Sequence, residues 1–179
     1  MKVKVAIPLG YSYERKQKIA ADILSTIISR TLAGFDKNNN AFAKYTKDYA
    51  EAKGVGRGDV DLKATGSMLE ALKVMYIAKD YIEIGIDGRS KNAGKAEGNI
   101  LGTYGQATPI PGKQRYFLGI TEKDVKEILK NYAPTVEETQ QAFVDENVFR
   151  VSRALSDSQI QAIKQRQLLD SLGLDSTPF

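Results

Sequence analysis

The apolar positions of this chain change period several times, and each change marks an element. Val3, Val5 and Ile7 alternate with Lys2, Lys4 and Ala6, the two-residue period of a short edge strand or extended arm. From Ser12 the period becomes helical. Ile19, Ile23, Ile27 and Thr31 fall on one stripe, with Ala20, Leu24, Ile28 and Leu32 beside them. Arg15, Lys16, Lys18, Asp22 and Arg30 take the polar side, Ser12 is placed to cap the start, and Gly34 stands where a C′ glycine belongs. The pattern predicts a helix over about Tyr13 to Leu32. A turn follows at 35–40, and Phe42, Tyr45 and Tyr49 then recur at helical spacing, a short helix or irregular segment over Ala41 to Lys53. Gly54, Gly56 and Gly58 read as a connection. A phosphate loop would want a helix N-terminus and a Lys or Ser/Thr here, and Asp59-Val60-Asp61 follows instead.

Beyond Gly66, Met68, Leu69, Ala71 and Leu72 predict a helix of about two turns. Val74, Tyr76 and Ala78 alternate in one strand candidate, and Ile82, Ile84 and Ile86 in another, with Lys79-Asp80 as the hairpin turn between them. The two strands are expected to cover the stripe of the first helix. Residues 90–99 are small, polar and weakly helical, and 100–113, with two prolines and three glycines, read as a long loop. Arg115 to Ile120 is an apolar strand candidate. Thr121-Glu122-Lys123-Asp124 has the form of an N-cap with an acidic first turn, and Val125, Ile128, Leu129 and Tyr132 make the stripe of a second helix ending before Pro134. The expected fold class is α+β: a small antiparallel sheet packed against a long N-terminal helix and a second helix, with a C-terminal helical or extended extension. The expected divisions are an arm or edge strand at 1–12, a core domain at 13–133, and an extension at 134–179. Val136, Phe143, Val144, Val148, Val151 and Leu155, then Ile160, Ile163, Leu168, Leu169 and Leu172, give that extension two amphipathic stretches. Such stretches beside a closed domain commonly dock on a partner.

Composition narrows the chemistry. The 179 residues include no Cys, His or Trp, which removes thiol nucleophiles, imidazole bases and the usual zinc ligand sets. Asp59/Asp61 and Asp80/Glu83/Asp87 are the densest carboxylates, and neither group brings a further ligand pattern, so solvated strand ends account for them. The expectation is a non-enzymatic protein with no cofactor and no metal. The net charge of +4 is uneven: residues 1–58 carry 11 Lys/Arg against 5 Asp/Glu, and residues 133–179 carry 4 against 7. A basic front and acidic tail suit head-to-tail contact between copies or contact with nucleic acid, but taken alone the imbalance is better explained as an ordinary solvated surface. Lys53, Arg57 and Lys63 near Tyr45 and Tyr49 suggest a basic, aromatic surface, weighed against tyrosines packed inward and lysines in water. No apolar run approaches the roughly 20 residues of a membrane span, and the N-terminus has no signal-peptide core.

Three stretches, in order, resemble the phage virion-morphogenesis and tail-completion family of neck proteins. They are Phe42 to Lys53, then Leu62 to Val74 with its Thr65-Gly66-Ser67-Met68-Leu69, then Pro111-Gly112-Lys113-Gln114-Arg115-Tyr116-Phe117-Leu118-Gly119-Ile120-Thr121 running on to Asp124. Lys95-Ala96-Glu97-Gly98-Asn99 sits where members place a small helix and glycine loop. Where many relatives have a His-x-x-Gly loop, this chain has Asn99-Ile100-Leu101-Gly102. The likeness covers about residues 13–132. It implies a structural virion subunit forming a hexameric or dodecameric ring in the neck, in contact with connector or adaptor proteins and with tail or tail-tube proteins. It also implies assembly in the host cytoplasm, no membrane partner and non-specific contact with phage DNA. On this reading Arg115, Tyr116, Phe143, Phe149, Ile160, Leu168 and Leu172 are interface candidates, and Lys2, Lys4, Arg57 and Lys63 face a DNA-bearing lumen. The alternative is a small basic nucleic-acid-binding or regulatory protein.

Overall fold

The computed structural model describes residues 1–63, 66–103 and 107–140. The chain divides into a unit of residues 1–134 and a second beginning at Thr135. In the first unit the order is β1 (Lys2–Ala6), α1 (Tyr13–Leu32), α2 (Lys47–Lys53), α3 (Ser67–Glu70), β2 (Lys73–Ile77), β3 (Tyr81–Gly85), α4 (Lys91–Leu101) and α5 (Glu122–Lys130). The sheet is antiparallel with β3 at its centre, in the order β1-β3-β2. This is the α+β arrangement the periodicity predicts, with residues 1–12 contributing an edge strand of the core.

α1 begins where Ser12 Oγ accepts the Arg15 amide at 3.4 Å, and its stripe becomes the floor of the core. Ile19, Ile23 and Ile27 have no exposed surface, and neither do Ile82 and Ile84 of β3 in the same cluster. Burying side chains of this size contributes about 1.5–3 kcal/mol each. The polar side of α1 reaches over its neighbours and donates to their backbone carbonyls. Lys16 Nζ caps the β2–β3 turn at Lys79 O, 2.8 Å. Arg15 Nη1 holds the chain after α5 at Ala133 O, 2.7 Å. Arg30 Nη2, buried, grips Phe117 O at 2.8 Å and Gly119 O at 2.7 Å. Tyr132 adds a hydroxyl bond to Asp22 at 2.8 Å. One helix thus serves both as apolar floor and as a row of three cationic clamps.

Several local expectations change. The helix after Gly66 is one turn, and β2 carries a bulge at Met75. The bulge reverses the alternation: Val74 pairs opposite Ile84 on the core side, and Tyr76 lies opposite Glu83 on the outer side, 56% exposed. Residues 115–120 are not a strand. They form an extended, irregular segment in which the Phe117 amide bonds Arg115 O at 2.8 Å and Gly119 takes φ +146°. Phe117 is wholly buried while Tyr116 projects outward, so the two still face opposite ways, through Arg30's grip rather than through sheet pairing. Residues 90–99 belong to a well-formed helix, α4, capped by Ser90 and closed by Gly102 in the left-handed region. Gly85 is required by close approach: a Cβ there would lie 2.2 Å from Met1 O, so any side chain would push β1 off the sheet.

In the second unit, Thr135 and Glu138 form a reciprocal cap, Glu138 N to Thr135 Oγ1 at 3.2 Å and Thr135 N to Glu138 Oε2 at 2.9 Å, and residues 136–140 are helical. The amphipathic stretches expected further on lie outside the described residues.

Ile23→Ala is expected to destabilise the protein by about 3 kcal/mol, because it removes three carbons from a fully buried site. Urea unfolding should show a lower midpoint with an unchanged m-value.

Candidate functional site

Four sequence-distant stretches enclose a cavity of about 660 Å³. Lys44, Tyr45, Thr46 and Tyr49 come from the approach to α2 and its first turn, and Leu62, Gly66, Ser67 and Met68 from the entry to α3. Gly94, Lys95, Gly98 and Asn99 come from one face of α4, and Ile110, Lys113 and Arg115 from the loop that follows it. The volume falls within the range of small-molecule sites, and the walls join apolar and aromatic surface to a few polar groups.

Each wall has an internal reason for its position. Tyr45 is buried, and its hydroxyl donates to Asp61 Oδ1 at 3.2 Å and accepts from Lys53 Nζ at 3.1 Å. Lys53 also pairs directly with Asp61, whose Oδ1 accepts the Lys63 amide at 2.9 Å as well. Arg57 Nε donates to Tyr45 O at 3.1 Å. Burial pushes the Asp61 carboxyl up, but the bonds from Lys53, the Lys63 amide and Tyr45 outweigh it and hold the group below its usual range. Burial likewise pushes Lys53 down, and its bonds to Asp61 and Tyr45 hold it above its usual value. The basic and aromatic cluster read from the sequence is therefore mostly scaffold: Lys53 and Arg57 fix Tyr45 in place.

Arg115 is 6% exposed. Its Nη1 donates to Asn99 Oδ1 and its Nη2 to Ala43 O, both at 3.3 Å, and its guanidinium carbon lies 5.2 Å from the Tyr45 ring centroid. The predicted intersubunit arginine thus braces the cavity, tying the loop after α4 to α4 itself and to the chain before α2. Lys113 Nζ donates to Lys44 O at 3.0 Å, and Lys95 Nζ to Ser67 Oγ at 3.4 Å. Lys44, Lys95, Lys113 and Arg115 all line the cavity, and none of the described lining residues is Asp or Glu. Three of these cations escaped sequence reasoning because they lie as many as 69 positions apart; the one available signal was that Lys44, Lys95 and Lys113 each sit inside a stretch already singled out by resemblance.

The other predicted residues distribute as follows. Tyr116 is 47% exposed, and its carbonyl accepts the Lys37 amide at 2.8 Å. Lys2 and Lys4 stand on the outer face of β1 and share Glu83, at 2.9 and 3.6 Å; Lys4 also lies 4.4 Å from the Tyr81 ring centroid. The bond from Lys2 holds the Glu83 carboxyl below its usual range. Arg57 and Lys63 lie on the loop after α2. Asp59 accepts the Gly56 amide at 2.9 Å, which with Asp61's partners accounts for that acidic pair as loop bracing. Phe143, Phe149, Ile160, Leu168 and Leu172 lie outside the described residues. No described helix is long and apolar enough to cross a membrane.

Comparison with known proteins returns no matching family model, no matching curated protein and no matching solved structure.

Asp61 has its pKa lowered on folding, so its contribution to stability is present above the unfolded carboxyl value near 4 and is lost as pH falls through the folded one. Asp61→Asn should cost about 1–2 kcal/mol at neutral pH by weakening the bonds that hold Tyr45 and Lys53. Denaturation at a series of pH values should show the gap between variant and parent closing below about pH 4.

Proposed function

We propose that this protein is a structural, non-enzymatic subunit of a tailed-phage neck, assembling with copies of itself as a ring between connector and tail proteins. The observation that supports the reading is spatial. The three stretches that resemble the tail-completion family are far apart in sequence, yet Tyr45 and Tyr49, Gly66 to Met68, and Lys113 with Arg115 meet around one cavity. A chance likeness of short motifs has no reason to converge on one place. Tyr116, beside that cavity's Arg115 and half exposed, is the aromatic group of the signature best placed for a neighbour, since aromatic anchors with an apolar body and a polar tip dominate protein interfaces.

A second reading, a small basic nucleic-acid-binding or regulatory protein, draws on the same four cations of the cavity lining. Salt-dependent binding of naked DNA by a monomer distinguishes it from the ring.

Mass photometry of the full chain, alone and with connector or tail proteins, should reveal a hexamer or dodecamer. Tyr116→Asp should reduce assembly by ~10-fold or more while changing stability by no more than about 0.5 kcal/mol, as expected at an exposed position. A strictly monomeric protein under both conditions would sink the reading. In particles made without the protein, filled heads lacking tails would indicate a joining role and overlong tails a role in tail termination.

A further inference from the structure

The cavity has chemical features that ring assembly alone does not require. Among the described residues its lining includes four cations and no carboxylate. An occupant with more than one negative charge matches such a lining. Three of the cations are lysines, which bind phosphate as adaptable point charges, whereas planar recognition of a carboxylate favours the arginine fork. The single arginine already commits Nη1 to Asn99 and Nη2 to Ala43. A phosphate, whose several oxygens can each accept from a different lysine, matches this set.

The remainder of the wall is apolar and aromatic. Tyr45 and Tyr49 have ring centroids 4.8 Å apart, and Tyr49 keeps 43% of its surface exposed. An aromatic surface of this kind stacks on any nucleobase, since every base presents a π-face. Leu62, Met68 and Ile110 add apolar surface. On the α4 side Gly94 leaves room: a Cβ there would meet no atom within 4 Å. About 660 Å³ is the volume of a site for a small molecule and is too little for a duplex.

We propose that this cavity binds a nucleoside phosphate, with the phosphate among Lys44, Lys95 and Lys113 and the base against Tyr49 and Met68. The ligand is either a free nucleotide or the terminal nucleotide of a strand; the chemistry is shared. The inference stands independently of assembly.

Amide NMR titration of the full chain tests it, using dATP, dAMP, adenosine, inorganic phosphate, a short 5′-phosphorylated oligonucleotide and an acidic, tyrosine-containing peptide. The nucleotides should shift the amides of Ser67, Lys95, Asn99 and Lys113. Adenosine and phosphate should each bind at least ~10-fold more weakly than dATP, because each satisfies only part of the site. Gly94→Leu places a side chain in the open space and should abolish the shifts without lowering Tm, since it also replaces a helical glycine. The combined Lys44→Ala and Lys95→Ala variant changes only exposed side chains and should weaken dATP by about 10-fold, with stability little altered. It keeps the test decisive even where Gly94→Leu fails to fold. An oligonucleotide that shifts the same amides assigns the site to strand ends, and one that shifts none assigns it to free nucleotide. The proposal is overturned by no shifts at about 5 mM nucleotide, by shifts that survive both variants, or by an acidic peptide that binds more tightly than dATP. Assembly state read on the same samples is separate: an intact ring without nucleotide binding sinks this inference and leaves the structural reading standing.

Discussion

The first 134 residues depend on how α1 is buried. Its isoleucine ridge supplies the dry contact with β3, and hydrophobic burial of this kind is the largest favourable term available to a chain with no disulfide or described metal cluster. That contact alone would leave the flanking segments undirected. Arg15, Lys16 and Arg30 add direction, because each long side chain lies along the helix surface and delivers its charge to the carbonyls of one particular neighbour. Charge-assisted bonds to carbonyls are stronger than neutral ones, and Arg30 makes two of them where little water competes. Burial depresses the pKa of both Lys16 and Arg30, which is the cost of placing those clamps inside the fold.

The clamp at Arg30 connects the core to the cavity. By holding Phe117 and Gly119 it determines where the preceding residues run, and Arg115, two positions earlier, then reaches Asn99 on α4 and Ala43 before α2. The cavity is thus assembled by a relay from α1 through an irregular segment to the loop that closes it. Tyr45, held by Asp61, Lys53 and Arg57, forms the opposing wall. Much of the basic charge near this region is structural, and the cations that line the cavity are a different set.

The outer face of the sheet obeys a separate logic. Lys2 and Lys4 converge on Glu83, a carboxylate that is itself 6% exposed, so the positive charge of β1 is partly neutralised in the fold. The bulge at Met75 twists the edge strand β2 and turns Tyr76 outward. Bulges of this type discourage uncontrolled pairing at an exposed sheet edge while leaving an aromatic side chain available to a chosen partner.

Elements built on local physics were legible in the sequence. The α1 stripe, its Ser12 cap, the β2–β3 hairpin and the Thr121 cap of α5 each depend on residues within a few positions of one another, and periodicity reports such spacing directly. The α+β class followed from those elements. Three features depended on tertiary contacts. Residues 115–120 carry a strand's apolar pattern, but Arg30, 85 or more positions away, holds their carbonyls where a neighbouring strand would have done so. α4, with two glycines, has modest intrinsic helix propensity and is stabilised by burial of Ala96 and by Ser90 and Gly102 at its ends. The cavity is the clearest case: Lys44, Lys95 and Lys113 have no sequence relation to one another, and only the folded chain brings their charges to one place.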